Sequence, residues 1–380
     1  MLDKGVTETM GLRIGRSGLL AAALVAVSLA VVGCGASAPA PSTTGGTGGS
    51  GASAAAKVTL QETGSTLLYP LFNIWAPAYH SAHPAVSITT DGTGSGTGIS
   101  QALAGTVQIG ASDAYLSSQD MAQNPGAMDI PLAISAQVIA YNLPSLTVAH
   151  LKLSGPVLAA IYTGKITNWD SAQIAALNPG VSLPNLTITP LHRSDASGDT
   201  FIFSQYLSFT TPSWNTAVGY GTGITFPTVA TALGEAGNSG MVTALNATKG
   251  AIAYVGISYS GSLATDHLAY AQLLNKSGQY VLPTAQTIDA AAAALVPQTP
   301  PSEALSLIYA PGANAYPLIN YEYAIVSQQQ ASSQQAAAVR AFLTWALTTG
   351  NSPTYLNQVH FVPLPASIVQ LSEAQVAKIH

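Results

Sequence analysis

From Lys57 onward, short β-branched and aliphatic runs alternate with longer stretches whose apolar positions recur every three to four residues. The short runs Val86 to Thr90, Val107 to Ala111, Gln137 to Tyr141, Thr187 to Leu191, Ala251 to Val255 and Tyr321 to Val326 are predicted strands. Helices are predicted over Leu68 to His80, Ile99 to Ala104, Pro156 to Thr163, Ser171 to Leu177, Thr200 to Leu207, Gly240 to Asn246, Thr287 to Leu295 and Ser333 to Leu347. Strand and helix in alternation define an α/β chain. The last helix gathers Val339, Phe342, Leu343 and Ala346 on one face, which predicts that it packs on a sheet. No repeat of fixed period interrupts the pattern.

The first residues follow another pattern. Arg13 and Arg16 precede an uncharged apolar run, Leu19 to Val32, which ends Val31-Val32-Gly33-Cys34. At roughly 20 residues for a bilayer span the run is short, and small residues surround the chain's single Cys. This is an export signal over residues 1–33 that resembles a bacterial lipobox cleaved before Cys34, which would carry the lipid. Residues 34–56, after Cys34 itself, are Gly, Ser, Ala, Thr and Pro, too poor in apolar bulk to fold, and read as a flexible tether. With one Cys there is no internal disulfide.

Composition narrows the classes further. Of 380 residues 48% are hydrophobic and 7% charged, with 35 Gly and 23 Pro, which describes a globular chain rich in turns and long enough for two lobes. Formal net charge is −5, and loss of Lys4, Arg13, Arg16, Asp3 and Glu8 with the signal makes it −6. No basic stripe or polybasic patch remains for nucleic acid or anionic lipid.

Three segments place glycines and hydroxyls where a helix begins. They are Gly64-Ser65-Thr66, the glycine-rich loop Gly92 to Gly98 that contains Ser95, and Arg193-Ser194-Asp195-Ala196-Ser197-Gly198-Asp199-Thr200. A helix start presents unpaired N–H groups and the positive end of the macrodipole, and glycine lets an anion approach the backbone. Each segment alone is also an ordinary cap or turn. Arg193 changes the weighing, because its planar donor precedes Ser197 and Gly198 at the next helix start. Local dipoles and one guanidinium can hold an oxyanion in an acidic protein.

Asp113, directly after the strand through Ile109, is the odd residue in this set. It reads either as a cap for a helix near Ser117 to Met121 or as an acceptor that demands a proton on the bound oxyanion. Phosphate carries such a proton at neutral pH and sulfate does not, so one carboxylate can set selectivity.

Taken in order, Gly64-Ser65-Thr66, Gly92 to Gly98, Gly110-Ala111-Ser112-Asp113, Ile161 to Ile166 with Asn168-Trp169-Asp170, Leu177 to Gly180, Arg193 to Phe201 and Gly250 to Val255 resemble the phosphate-binding proteins of high-affinity phosphate ABC transporters. The resemblance covers nearly all of Lys57 to Ile379. It implies the two-lobed type II periplasmic binding fold, each lobe a mixed sheet flanked by helices, hinged by two crossing segments. Lobe I would hold residues 57–140 and 318–380, lobe II residues 141–317, with inorganic phosphate bound between them. On the family pattern Thr66 offers a hydroxyl, Leu67 its backbone N–H, Ser95 a hydroxyl and Asp113 the proton acceptor. Arg193, Ser197 and Gly198 match its donors, and Asp195 the acid that orients the arginine. Two positions depart from the pattern: Leu67 stands where an aromatic residue is common, and Asp199 where some members have a threonine donor. Asp199 is kept as a ligand-binding candidate, although its place in the first turn of a helix favours an outward carboxylate.

The expected protein is an extracytoplasmic, lipid-anchored monomer that passes phosphate to an ABC permease, with no cofactor, no metal and no enzymatic activity. Binding of another tetrahedral oxyanion is the first alternative, and a phosphate-ester-processing enzyme the second. Against the enzyme, no P-loop, no G-x-S-x-G elbow and no metal cluster is visible. His80 and His83 read as solvated surface, His192 as packing on the strand face opposite Arg193, and Trp75, Trp169, Trp214 and Trp345 as core or lobe-surface aromatics.

Overall fold

The computed structural model describes residues 57–380, so Cys34, the export signal and the tether lie outside the described residues. Twelve strands are described: β1 (Val58–Gly64), β2 (Val86–Thr89), β3 (Ile109–Ser112), β4 (Ala127–Tyr141), β5 (Lys152–Leu153), β6 (Thr189–Arg193), β7 (Leu233–Glu235), β8 (Ala251–Gly256), β9 (Ala269–Tyr270), β10 (Gln272–Leu274), β11 (Tyr280–Val281) and β12 (Ile319–Ser327). Nine of them form one sheet in the order β2-β1-β3-β12-β4-β8-β6-β7, with β9 also on β4; β11-β10-β5 form a small second sheet.

The large sheet is parallel at both ends and antiparallel in the middle. β1 runs parallel to β2 and β3, and β6 parallel to β7 and β8. Between these groups lie β12 and β4, paired antiparallel to each other and to their outer neighbours. β4 is shared between the two halves: it pairs with β12 through Ala136 and with β8 from Gln137. Parallel pairing with covering helices buries both faces, which accounts for the near-continuous apolar or small-residue runs of β3 and β8.

The predicted elements are present with shifts of a few residues at their ends. The Ser333–Leu347 helix has the predicted bounds and buries Val339, Phe342, Leu343 and Ala346. The largest difference is β4, read as Gln137 to Tyr141 and found to start at Ala127. Asp129, Pro131 and Ser135 hid that first half. Pro131 sits opposite Tyr323 at a β-bulge, where a missing N–H is tolerated, and the polar side chains are buried. The Ala366–Val376 helix also escaped the sequence reading.

Each half of the sheet carries its own aromatic packing. Trp75 meets Phe72 and Trp345 edge to face at 5.7 and 6.2 Å under β1, while Phe203 stacks on Tyr254 at 4.6 Å under β8. Trp169 and Trp214 are buried, and His192 stacks on Phe226 at 4.6 Å, so it packs as expected. Among the described residues no helix is long and apolar enough to cross a membrane.

Candidate functional site

The three helix starts converge. After β1 the chain turns at Gly64, whose φ of +141° and closeness to the Ala111 carbonyl exclude a side chain. Ser65 Oγ then accepts the N–H groups of Leu67 and Leu68 at 3.1 and 2.9 Å, and its hydroxyl donates to Asp113 Oδ1. The Leu67 N–H, expected to face a ligand, is thus held by Ser65. Thr66 Oγ1 accepts the backbone and side-chain N–H groups of Asn238 at 3.2 and 3.0 Å.

Ser95 opens the Ser95–Leu103 helix and is fully buried; its Oγ accepts the Asp113 N–H at 3.2 Å. Asp113 follows β3 and is 1% exposed. It does not cap the next helix: Ser117 does that, in a capping box with Asp120. Asn320 of β12 fixes the Asp113 carbonyl at 2.7 Å.

The opposite wall starts at the end of β6. The Arg193 N–H donates to Tyr254 Oη at 2.8 Å, which aims the side chain across the sheet edge. Its guanidinium donates through Nε to Asp195 Oδ1 at 2.7 Å and through Nη2 to Asp195 Oδ2, and through Nη1 to Asp199 Oδ2 at 2.9 Å. Of five guanidinium N–H groups three are thereby used, and two are left for an incoming acceptor. Ser197 caps the Gly198–Thr210 helix, accepting the Thr200 N–H at 3.3 Å.

The two walls touch. Gly96 N–H donates to the Ala196 carbonyl at 2.9 Å. A Cβ on Gly198 would lie 2.5 Å from Ser95 Oγ and still closer to Asp113 Oδ2, so only glycine admits the carboxylate to the start of that helix. A cavity of about 360 Å³, lined by Thr66, Tyr69, Gly92, Asp195, Gly237 and Tyr259, opens beside this point.

Asp199 corrects the expectation of an outward carboxylate. It is 1% exposed and points inward, onto Arg193, Gln137 Nε2 at 3.0 Å and Asn238 Nδ2 at 2.6 Å. The dipole preference of a first-turn acid is worth about 1 kcal/mol at most on a surface, less than a buried guanidinium and two amides supply together.

Protonation in the site follows burial and neighbours. Burial pushes Asp113 up to about 7, Asp199 adds to the rise, and Glu322, Ser65 and Arg193 oppose it. Burial raises Asp199 as well, against the pull of Arg193. Burial also works on Asp195, but the hydrogen bond and charge of Arg193 hold it below the ordinary carboxylate range. Arg193 stays charged, since Asp195 and Asp199 outweigh its desolvation.

Four participants escaped the sequence reading as site residues. Ser65 bonds Asp113 directly, Asn238 links Thr66 to Asp199, Gln137 reaches Asp199 from the point where β4 changes partner, and Glu322 of β12 neighbours Asp113 across the β3–β12 pairing, where Tyr323 lies opposite Ser112. Glu322 had a signal: a carboxylate inside the apolar run Tyr321 to Val326 of a chain only 7% charged. Asn238 follows Gly237 at a fourth helix start. Among the described residues no group of three or more His, Cys, Asp or Glu could hold a metal ion.

A sheet with two parallel ends, shared central strands and an anion cradle between its halves defines a two-lobed solute-binding protein. The chain matches the PBP superfamily domain over residues 45–349. It is 34% identical to phosphate-binding protein PstS of Xylella fastidiosa, over 83% of this chain and 84% of that protein. It is 35% identical to phosphate-binding protein PstS of Methanocaldococcus jannaschii, with the same coverage of 83% and 84%. The chain belongs to the PstS family of phosphate-binding proteins within that superfamily. Among solved structures, a high-affinity periplasmic phosphate-binding protein with phosphate bound superposes with TM-score 0.64 at 22% identity, covering 83% of this chain and 93% of that one. An ABC-type phosphate transport receptor from Vibrio cholerae superposes with TM-score 0.53 at 20% identity, covering 81% and 100%. At these identities the two structures speak for the fold.

Proposed function

We propose that the protein captures inorganic phosphate in the cleft between its lobes and delivers it to an ABC transporter permease. The observation that carries this is the meeting of Arg193 and the Gly198 helix start with Ser95 and Asp113 at one buried point. Phosphate would accept from the two unused guanidinium N–H groups of Arg193, the Thr66, Ser95 and Ser197 hydroxyls and the backbone at Leu67 and Gly198. Its own hydroxyl would donate to Asp113. Ser65, Ser95 and Ser197 already hold partners, so capture includes small exchanges of their bonds.

In this reading residues 57–140 and 318–380 move as lobe I against residues 141–317 as lobe II, with β4 and the entry to β12 as the hinge. The chain acts by binding, without turnover, as a monomer outside the cytoplasm tethered through lipidated Cys34. Membership of a family of substrate-binding transport proteins supports the binding role. A melting experiment tests it. Phosphate at 100 times its dissociation constant adds about 2.7 kcal/mol to the folded state and raises Tm, while sulfate leaves Tm in place. Equal shifts from both anions, or none from either, would contradict the assignment.

A further inference from the structure

Glu322 lies in the middle of β12 with no exposed surface. The β-bulge in the β4–β12 pairing falls at Glu322 and Tyr323, opposite Pro131 and Ala133, and a bulge re-aims side chains at that step. One Glu322 oxygen, Oε1, accepts the Ser135 hydroxyl; the other, Oε2, is buried and receives no donor. In the antiparallel pairing of β12 with β3, Tyr323 lies opposite Ser112, and the next residues along the two chains are Glu322 and Asp113, itself an acid.

Two carboxylates cannot bond each other unless one carries a proton. Facing the pair are Asp113 on the turn after β3, Asp199 on the Gly198–Thr210 helix and the Ser135 hydroxyl of β4, with Arg193 of β6 acting on Asp113. No cation is within reach of Glu322 itself among the groups that act on it. The proton therefore belongs on Glu322, and burial, followed by the charge of Asp113, holds that carboxyl well above its ordinary range.

We propose that Glu322 is a positioning residue that donates its proton to Asp113 and keeps the Asp113 carboxylate an acceptor toward the bound anion. This rests on phosphate being the ligand. A buried Asp113 beside Asp199 would otherwise take up a proton of its own and turn into a donor, as welcoming to sulfate as to phosphate. A hydrogen bond from Glu322 stabilises the charged form and fixes which oxygen is free. Ser65 supplies a second donor to Asp113 Oδ1, which leaves Oδ2, the oxygen beside Gly198, to meet the proton on the ligand. Selectivity is then a property of three residues, and two of them never touch the ion.

Gln at position 322 keeps a donor of the same shape; Leu keeps the volume and removes it. The experiment is a competition titration of phosphate against sulfate from pH 6 to pH 8, with the parent, Glu322→Gln and Glu322→Leu, each shown to be folded by circular dichroism. Infrared difference spectra on ligand-free parent and Glu322→Gln run beside it. The parent and Glu322→Gln should discriminate within about threefold of each other. Glu322→Leu should lose at least about tenfold of the phosphate-over-sulfate ratio, most at pH 8, where Asp113 of the parent is ionised, and should lose nothing further in an Asp113→Asn background. The parent-minus-Glu322→Gln difference spectrum should show the loss of one protonated-carboxyl band, beside those that Asp129 and Glu303 keep in both proteins. A folded Glu322→Leu that discriminates like the parent across this range, or a spectrum with no protonated carboxyl assignable to Glu322, overturns the positioning role alone. A parent that prefers neither anion overturns the phosphate reading and this role together.

Discussion

On one wall of the cleft, the turns after β1, β2 and β3 present hydroxyls and a carboxyl; on the other, the turn after β6 presents a guanidinium already gripped by two carboxylates. Both walls use the same local device, a strand feeding a helix through small residues. They differ in what they require of a ligand. On the proposed reading, the Arg193 wall is a donor surface that would take any tetrahedral oxyanion, whereas the Asp113 wall would accept only one that brings a proton. Around one arginine stand Asp113, Asp195, Asp199 and Glu322, so net charge cannot be what draws an anion in. Directed donors and the placement of protons must do it.

Breaking the donor wall should have the largest effect. Arg193→Ala is expected to abolish measurable phosphate binding, a loss of at least about 100-fold by titration calorimetry. It should also lower Tm by several degrees, because buried Asp199 and half-buried Asp195 lose their cation, at about 3–5 kcal/mol for a broken buried pair. A variant that binds normally would reduce Arg193 to a structural tie.

Next comes the meeting point of the walls. Gly198→Ala adds a methyl 2.5 Å from Ser95 Oγ, and closure must fail or widen. Affinity should fall about tenfold or more, read by the same calorimetry. Tm without ligand and far-ultraviolet circular dichroism should stay near those of the parent if the lobes simply rest further open.

Asp113→Asn sharpens the contrast instead of erasing it. The donor wall is intact, so phosphate still binds, but the amide can donate to sulfate and rejection should weaken by about 10–100-fold, the 1–3 kcal/mol of one unmatched buried acceptor. The parent itself should show a milder version in acid. With Asp113 at about 7 in the free protein, lowering the pH through that value protonates it, and sulfate competition should strengthen at pH 6 relative to pH 8.

A second buried acid pair, Asp129 and Glu303, has no such wall and isolates the smallest effect. Burial raises Glu303 to about 8 and Asp129 to about 7, and one oxygen of each has no donor. The folded state binds these protons more tightly than the unfolded chain, so stability should decline as pH rises from about 4.5 to 8 and level off above. Glu303→Gln should flatten that decline, by about 1–3 kcal/mol at pH 9 in denaturant melts, without changing anion binding.

The alternation of strand and helix, and the glycine-hydroxyl segments at three helix starts, were legible because local sequence dictates both. Arg193, Asp195, Ser197 and Gly198 lie within six residues and could be read as one unit. What could not be read was pairing across distance. Gln137, Asn238 and Glu322 enter the site from three separate strands or helices; a carboxylate in an apolar run singles out Glu322, but local sequence does not say which distant residues it meets. The first half of β4 was hidden by Asp129, Pro131 and Ser135, whose polarity is accommodated by a bulge and buried hydrogen bonds that only the folded sheet creates. Asp199 was misread outward because a surface rule was applied to a residue that the fold encloses.

Titration of phosphate into the folded protein at pH 8, with sulfate present at a thousandfold excess, tests the central claim that an anion is selected by two unlike walls. The account predicts saturable binding of one phosphate per chain, unchanged by the sulfate. Phosphate heats that vanish in sulfate, or no phosphate heats at all, would contradict it.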